Sequence, residues 1–207
     1  GQWHGQGEWH GSNGEVYRGQ FKQGLFDGQG SMTTNGGSYD GGFKLGRRDG
    51  EGTLKEHGML YRGGFKADQY SGLGRLELED GSAYQGQFAH GKPNGDGQRS
   101  DGSGNQFTGH FVDGQLEGNG TFNSAEGDIY VGGFKNNQLH GKGRYENADG
   151  DVWLGQFKEG SLNGKGELIG EIFGEHEAIA DSDQGRSFRA FWDFLMSPVR
   201  QEELSEL

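Results

Sequence analysis

The sequence contains no cysteine, two prolines and only 29% hydrophobic residues over 207 positions. Without cysteine there is neither a disulfide framework nor a thiolate metal site. No stretch approaches the roughly 20 apolar residues of a membrane-spanning helix, and the first residues lack the pattern of a signal peptide. The net charge of -12 repels phosphate groups, which argues against nucleic acid and anionic membranes as partners. Together these absences predict a cytoplasmic protein.

Glycine and aromatic residues, in contrast, are abundant. The chain has 45 glycines, and 12% of its residues are Phe, Trp or Tyr. The low apolar content alone would favour disorder, but disordered chains are poor in aromatic residues. The combination therefore indicates aromatic strands joined by tight turns.

An aromatic anchor residue recurs every 22 or 23 positions along residues 1–168. A glycine follows each anchor by two positions, a phenylalanine follows it by four, and a G-x-G pair closes each unit. Alternate residues of a strand share one face, so the anchor, the glycine and the phenylalanine lie on the same face. Each unit therefore predicts a β-hairpin. The turn is expected at the seventh position after the anchor, where the residue types tolerate a positive φ: Gly24, Gly46, Asp68, Gly91, Gly114, Asn137 and Gly160.

The return half of the unit has a position, fifteen residues after the anchor, that is apolar in six of the seven copies. In the fourth copy this residue is Arg99, which we expect to weaken the apolar face there. The other copies have an apolar residue at this fifteenth position: Met32, Leu54, Leu76, Phe122, Tyr145 and Leu168.

This unit resembles the MORN repeat, Y-x-G-x-F-x-x-G-x-x-H-G-x-G, in seven copies preceded by a partial copy. The motif histidine is present only at His4 and His140. The resemblance implies an all-β repeat fold, in which residues 1–168 form a single elongated, twisted antiparallel sheet of hairpins with an aromatic groove. We predict that the anchors and phenylalanines line this groove and contact a partner: Tyr17, Phe21, Tyr39, Phe43, Tyr61, Phe65, Tyr84, Phe88, Phe107, Phe111, Tyr130, Phe134, Trp153 and Phe157.

The repeat is lost after residue 168, and we divide the remainder into a linker (169–182) and a C-terminal α-helical segment (183–207). Ser197-Pro198 suits the end of one helix and the start of another. The first helix has an apolar stripe at positions i, i+3, i+4 and i+7, which predicts a docking helix. Its residues are Phe188, Phe191, Trp192 and Leu195.

A second resemblance lies in residues 171–204, chiefly in the run G-R-S-F-R-A-F-W. This stretch resembles part of the kleisin-like subunit of Wadjet-type, condensin-like plasmid-defence complexes of bacteria. The resemblance implies a bacterial origin for the segment. It also implies a fusion, natural or engineered, between a repeat scaffold and a segment of another family.

No nucleophile–base pair, isolated carboxylate pair or metal-ligand spacing is found in the sequence, so we expect no catalytic residue, no metal and no cofactor. We predict a non-enzymatic protein-interaction scaffold whose aromatic groove binds a helical peptide, here its own C-terminal segment. The tail would dock in cis in a monomer, near the last repeats, or be exchanged in a tail-swapped dimer. Two alternatives are a phospholipid-binding MORN module, against which the net charge counts, and the targeting module of a larger enzyme.

Overall fold

The computed structural model describes residues 1–163 and 166–168, and every regular element in this part of the chain is a β-strand. The chain forms two compact units, Gly1–Pro93 and Asn94–Leu207. The predicted linker (169–182) and helical segment (183–207) lie outside the described residues.

The first unit is an antiparallel sheet in which each strand pairs with the next strand along the chain. The predicted all-β hairpin architecture is thereby confirmed for this unit. Its strands are β1 (Gly5–His10), β2 (Val16–Lys22), β3 (Leu25–Thr34), β4 (Gly37–Lys44), β5 (Arg47–Glu56), β6 (Met59–Lys66), β7 (Gln69–Glu77) and β8 (Ala83–Ala89).

The second unit repeats the same antiparallel order, and its first strand begins at the boundary between the units. The last hairpin is less regular, because two short strands, β15 and β16, both pair with β14. The strands are β9 (Lys92–Ser100), β10 (Gln106–Val112), β11 (Gln115–Asn123), β12 (Ile129–Lys135), β13 (Gln138–Glu146), β14 (Val152–Lys158), β15 (Ser161–Leu162) and β16 (Glu167–Leu168).

The turn inside each repeat is a two-residue loop with positive φ at both positions. In the first complete repeat, Gln23 has a φ of 52° and Gly24 a φ of 77°. This is the type I′ hairpin turn, whose twist matches that of the flanking strands. The positive φ predicted at the seventh position after the anchor is confirmed in the described copies, including Asp68 and Asn137.

The connection between repeats explains why the spacing is 22 in some copies and 23 in others. The 22-residue copies use two-residue loops, Asn35-Gly36 and His57-Gly58. The 23-residue copies use five-residue loops, such as residues 101–105. In that loop, the Asp101 carboxylate accepts hydrogen bonds from the backbone N–H of Ser103 (2.8 Å) and of Asn105 (3.1 Å).

A bulge in the return strand, present in five of the described hairpins, explains the G-x-G pair. In the first complete repeat, Gly19 pairs with Gly30 but Phe21 pairs with Phe26, so the return strand carries two extra residues. The first glycine of the pair, Gly28, takes up the bulge with a φ of 109°. The second glycine leaves room for the anchor ring, since a Cβ on Gly30 would lie 2.5 Å from the ring of Tyr17.

The hydroxyl of each anchor tyrosine donates a hydrogen bond to the carbonyl three residues further along its strand. The Tyr17 hydroxyl lies 2.9 Å from the Gln20 oxygen, and the Tyr130 hydroxyl lies 3.0 Å from the Gly133 oxygen. The bulge leaves this carbonyl beside the ring, so the ring and the bulge stabilise each other. The same hydrogen bond is made by Tyr39, Tyr61 and Tyr84.

Candidate partner-binding face

The predicted groove residues form the hydrophobic core of each unit. All of them except Trp153 are buried, with exposures of 7% or less. The Tyr17 ring makes edge contacts with Phe21 of its own repeat (5.2 Å between centroids) and with Phe43 of the next repeat (5.0 Å). Such contacts join successive repeats. The structure therefore gives these rings a packing role, and their contact with a partner stays a prediction.

A second set of side chains on this inner face, the face that carries the anchor rings, was not identified from the sequence. These side chains lie nine positions after each anchor, and each described pairing places one opposite the phenylalanine of its repeat, as Phe26 lies opposite Phe21. The set has no common residue type, so it cannot be recognised as a sequence motif. We call it the ninth-position row: Phe26, Arg48, Tyr70, Pro93, Leu116, Leu139 and Leu162.

In the first unit, the ninth-position row presents partly exposed aromatic rings. Phe26 stacks on Tyr17 with 3.8 Å between ring centroids, and Tyr70 stacks on Tyr61 at 3.9 Å. Both Phe26 and Tyr70 are half-buried. Since the anchor rings beneath them are buried, Phe26 and Tyr70 are the aromatic surface that a partner of this unit would contact.

Arg48 replaces the ninth-position ring between Phe26 and Tyr70. Its guanidinium carbon lies 5.7 Å from the Tyr39 ring centroid and 5.3 Å from that of Phe65. The guanidinium also forms an ion pair with Asp68 (Nε to Oδ1, 3.3 Å). Arg48 therefore fills the place of a ring by cation–π contact and has its counter-ion within the unit.

In the second unit, the ninth-position row is aliphatic and more deeply buried in the middle repeats. Leu116 and Leu139 have no exposed surface. The inner face opens towards the last hairpin, where Trp153 is half-buried and Leu162 is 36% exposed. Of the predicted groove residues, Trp153 is thus the one with surface available to a partner in the described chain.

Arg99 does not leave the apolar face weak, as the sequence led us to expect. It is only 7% exposed, and its guanidinium carbon lies 4.8 Å from the Phe107 ring centroid and 5.8 Å from that of Phe111. Its Nη1 donates a hydrogen bond to Asn137 Oδ1 (3.3 Å). Burial lowers the pKa of Arg99 to about 10, which keeps the guanidinium charged at neutral pH.

Burial also changes the acidity of the anchor tyrosines. It raises the pKa of Tyr39 and of Tyr130 to about 12, and it raises the pKa of Tyr17 and of Tyr61 as well. These four hydroxyls therefore remain neutral hydrogen-bond donors at physiological pH.

The side chain at the position of the motif histidine forms a hydrogen bond to the next repeat. Acidic residues at this position accept a hydrogen bond from the first turn residue of the next repeat. Asp27 Oδ2 accepts from the Leu45 N–H (3.3 Å), and Glu117 Oε1 accepts from the Asn136 N–H (2.8 Å). A carboxylate at this position thus accepts a hydrogen bond from the turn of the next repeat. The loss of the histidine from most copies therefore leaves the scaffold intact.

The opposite, outer face is mainly polar, although Val131 and Leu154 are exposed on it. It carries exposed polar pairs between neighbouring strands, such as the ion pair of Arg18 with Glu8 (2.9 Å) and the hydrogen bond between His110 Nδ1 and Asp96 Oδ1 (3.0 Å). Pairs of this kind stabilise a protein little. Within the described residues there is no cluster of potential metal ligands, and no helix is long and apolar enough to cross a membrane.

Comparison with known proteins identifies the repeats. The MORN-repeat family model matches residues 1–16, 17–38, 39–55, 61–83, 84–106, 107–129 and 130–152. The chain belongs to the MORN-repeat family. The resemblance seen in the sequence is therefore confirmed for the repeats.

The C-terminal residues match a different family, described as a protein of unknown function (DUF3375), over residues 159–207. A relative from Mycolicibacterium smegmatis, described as an uncharacterized protein, is 58% identical over 40 residues. These residues are 19% of this chain and 8% of that protein, so the chain spans only a small part of its relative. Neither description mentions a kleisin-like subunit, and that relation stays a prediction.

One similar solved structure is described as the SAS-4 (dCPAP) TCP domain in complex with a proline-rich motif of Ana2 (dSTIL) of Drosophila melanogaster. It shares 15% sequence identity, and the match covers 81% of this chain and 85% of that chain with a TM-score of 0.38. This likeness is too low to bear on function.

Proposed function

We propose that this MORN-repeat protein is a non-enzymatic interaction scaffold whose inner face binds a helical peptide, and that residues 183–207 of the same chain are such a peptide. The observation that carries the proposal is the opening of the inner face at the last hairpin. Trp153 is half-buried and Leu162 is 36% exposed there, next to the point where the C-terminal residues begin. In the described chain no helix packs on this surface.

The composition of the C-terminal segment complements this surface. Its predicted apolar stripe (Phe188, Phe191, Trp192 and Leu195) needs an apolar surface to cover it. Helix-in-groove recognition uses side chains at this spacing. A helix laid on the inner face would remove both apolar surfaces from water.

The chain is long enough for docking in cis. The linker 169–182 spans at most about 46 Å when extended. A helix of fourteen residues is about 21 Å long, which corresponds to four or five strand spacings of about 4.8 Å. A tail-swapped dimer satisfies the same contacts, and the two arrangements differ only in the chain to which the segment belongs.

The proposal is tested by crosslinking between introduced cysteines, which is specific because the natural chain has none. Ser197→Cys is combined with Leu162→Cys on the inner face or, as a matched control, with Leu154→Cys on the outer face. Leu162 and Leu154 belong to the same hairpin and have similar exposures, 36% and 38%. We expect efficient disulfide formation with Leu162→Cys only, and a loss of it when Trp192→Ala is added.

The product also decides between the two arrangements. A crosslinked monomer indicates docking in cis, whereas a covalent dimer indicates exchange of the tail. Equal crosslinking at both leucine positions would mean that the segment has no preferred face, and the proposal would fail.

The origin of the C-terminal segment forms a separate part of the proposal. The segment matches a relative from a bacterium, and its relation to a plasmid-defence subunit is part of this proposal. If the relative acts in plasmid defence, deleting it from Mycolicibacterium smegmatis should increase plasmid retention over serial growth without selection. Unchanged retention would separate the segment from that activity.

A further inference from the structure

The outer face of the second unit carries an aliphatic patch on β12, β13 and β14. On β12 and β14 the residues on either side of the anchor in the sequence are aliphatic, and they lie on the face opposite the anchor ring. Val131 is 48% exposed and Leu154 is 38% exposed. Strands that are apolar on both faces are typical of strands covered on both faces. We call the side chains of this face the outer patch: Ile129, Val131, Arg144, Glu146, Val152 and Leu154.

Earlier repeats have no such patch. The residue directly after the anchor is Arg18, Asp40 and Arg62 in the first three complete repeats, and it is Thr108 in the fifth. These repeats form the same hairpins with a polar residue at this position, so the scaffold does not need an aliphatic side chain there. Contiguous apolar surface of this kind marks an interaction site.

Two opposite charges lie in the middle of the outer patch. In the strand register, Arg144 on β13 stands between Val131 and Leu154. Glu146 follows two residues later on the same face, and Arg144 Nη2 lies 2.5 Å from Glu146 Oε2. A second copy of β13 that crosses the first in the opposite direction would therefore place each of these charges opposite a charge of the other sign.

The two ends of the strands are also complementary in charge. The loops at one end carry the exposed acidic residues Glu126 and Asp149. Towards the other end, near the turns within the repeats, the outer face has three exposed lysines, and the ion pairs among the described residues include none of them: Lys135, Lys142 and Lys158. A two-fold rotation that reverses the strand direction brings the basic end of one copy to the acidic end of the other.

We propose that the outer patch is the interface of a symmetric dimer, in which a second copy of this chain packs face to face on β12, β13 and β14. The two-fold axis crosses β13 between Arg144 and Glu146, so the arginine of each copy faces the glutamate of the other. Leu154 then lies against Val152 of the second copy, and the aliphatic side chains of both copies are removed from water. This surface is separate from the inner face, so the inference does not depend on the proposed function.

The size of the outer patch predicts a reversible dimer. Three strands at a spacing of about 4.8 Å are about 14 Å wide, and seven residues at about 3.3 Å each are about 23 Å long. This footprint is smaller than the roughly 800 Å² that each partner buries in a standard interface. We therefore expect a dissociation constant in the micromolar range.

Sedimentation equilibrium of the full chain over a range of concentrations tests the interface. We expect a monomer–dimer equilibrium that Val131→Glu weakens at least about thirtyfold, because the change buries an unpaired carboxylate among aliphatic side chains. Thr108→Glu is the matched control, since Thr108 is exposed at the same position of an earlier repeat, outside the outer patch. It should leave the equilibrium unchanged. Thermal unfolding confirms that both variants fold.

Charge reversal separates a contact between copies from a contact within one chain. Arg144→Glu and Glu146→Arg, each made alone, should weaken self-association, because like charges then face each other across the two-fold axis. An equimolar mixture of the two variants should recover it, since the two glutamates of one chain then face the two arginines of the other. The pair within the chain is lost in both variants, so recovery on mixing reports only on contacts between copies.

Three results would overturn the interface. The first is a full chain that stays monomeric up to about 0.1 mM. The second is a dimer that Val131→Glu leaves intact, and its loss in Trp192→Ala would identify it as the tail-swapped dimer. The third is a mixture of the charge-reversed variants that associates no better than either variant alone. None of these results bears on the proposed function, whose crosslink at Leu162 lies on the inner face.

Discussion

The two units build the same hairpins but fill the space around the anchor rings from different positions. In the first unit, aromatic rings stand in the ninth-position row, as Phe26 and Tyr70, and the fifteenth position is aliphatic. In the middle repeats of the second unit the order is reversed. Leu116 and Leu139 stand in the ninth-position row, and Phe122 and Tyr145 take the fifteenth position.

This difference leaves aromatic rings partly exposed in the first unit and buried in the middle repeats of the second unit. A ring in the ninth-position row is half-buried, whereas Phe122 and Tyr145 at the fifteenth position are 0% and 1% exposed. The core volume around each anchor is thus filled in both units, since cores tolerate exchanges that conserve volume. The exposure of the rings, which matters for recognition, follows from their position.

The largest expected effect is a difference in unfolding free energy between alanine substitutions at the fifteenth position and in the ninth-position row. Phe122→Ala should lower the free energy of unfolding by about 3–5 kcal/mol, because it opens a cavity at a buried site. Phe26→Ala should cost about 1–2 kcal/mol, since part of that ring is already in contact with water. Urea unfolding measures both. Equal losses would contradict the distinction drawn here between the units.

Alkaline pH should destabilise the protein through its tyrosines. An unfolded tyrosine ionises near pH 10, whereas the pKa values of Tyr39 and Tyr130 are raised to about 12. Above pH 10 the native state therefore binds more protons than the unfolded state, and stability falls as pH rises towards 12. The loss is about 2 kcal/mol for each of these tyrosines.

Circular dichroism across this pH range, with phenolate absorbance as a second signal, measures the loss. Tyr39→Phe and Tyr130→Phe should each reduce the steepness of the pH dependence, one in each unit. A stability that stays constant between pH 10 and 12 would contradict the raised pKa values.

Exchanging the residues at the ninth and fifteenth positions within one repeat of the second unit should give that repeat the arrangement found in the first unit. Leu116→Phe overfills the ninth-position row and Phe122→Leu leaves a gap, and each change alone should cost about 1–3 kcal/mol. In the double variant the ring and the leucine change places, so part of the loss should be recovered, with a coupling of about 1 kcal/mol. Additive losses in chemical denaturation would mean that the two positions do not share one space.

The smallest expected effect concerns the loops between repeats. The buried Asn105 side chain accepts a hydrogen bond from the Ala125 N–H of the next loop (2.9 Å), so Asn105→Ala should cost about 1 kcal/mol. The Ser82 side chain, in a corresponding loop of the first unit, is half-buried, and its hydroxyl donates a hydrogen bond to Asp80 in its own loop (2.6 Å). Ser82→Ala should therefore change the unfolding free energy by less than about 0.5 kcal/mol. Comparable losses would show that the loops couple repeats equally in both units.

Much of the scaffold could be predicted from the sequence because its signals are local. The left-handed turn follows from residue types such as Gly24 and Asn137, and the alternation in Y-x-G-x-F assigns Tyr61 and Phe65 to one face. The ninth-position row could not be recognised in this way. Phe26, Arg48 and Leu116 have no side-chain property in common, and their equivalence is defined by the strand pairing.

The sequence by itself determined the repeat length, the hairpin turns and the face on which the anchor rings lie, because a φ preference and a period of two belong to the residues themselves. Only the tertiary structure decided that the anchor rings are core, that Phe26, Tyr70 and Trp153 retain surface for a partner, and that Arg99 is buried with one neutral hydrogen bond. Those properties depend on which side chains of neighbouring repeats meet, and the packing of one repeat against the next sets them.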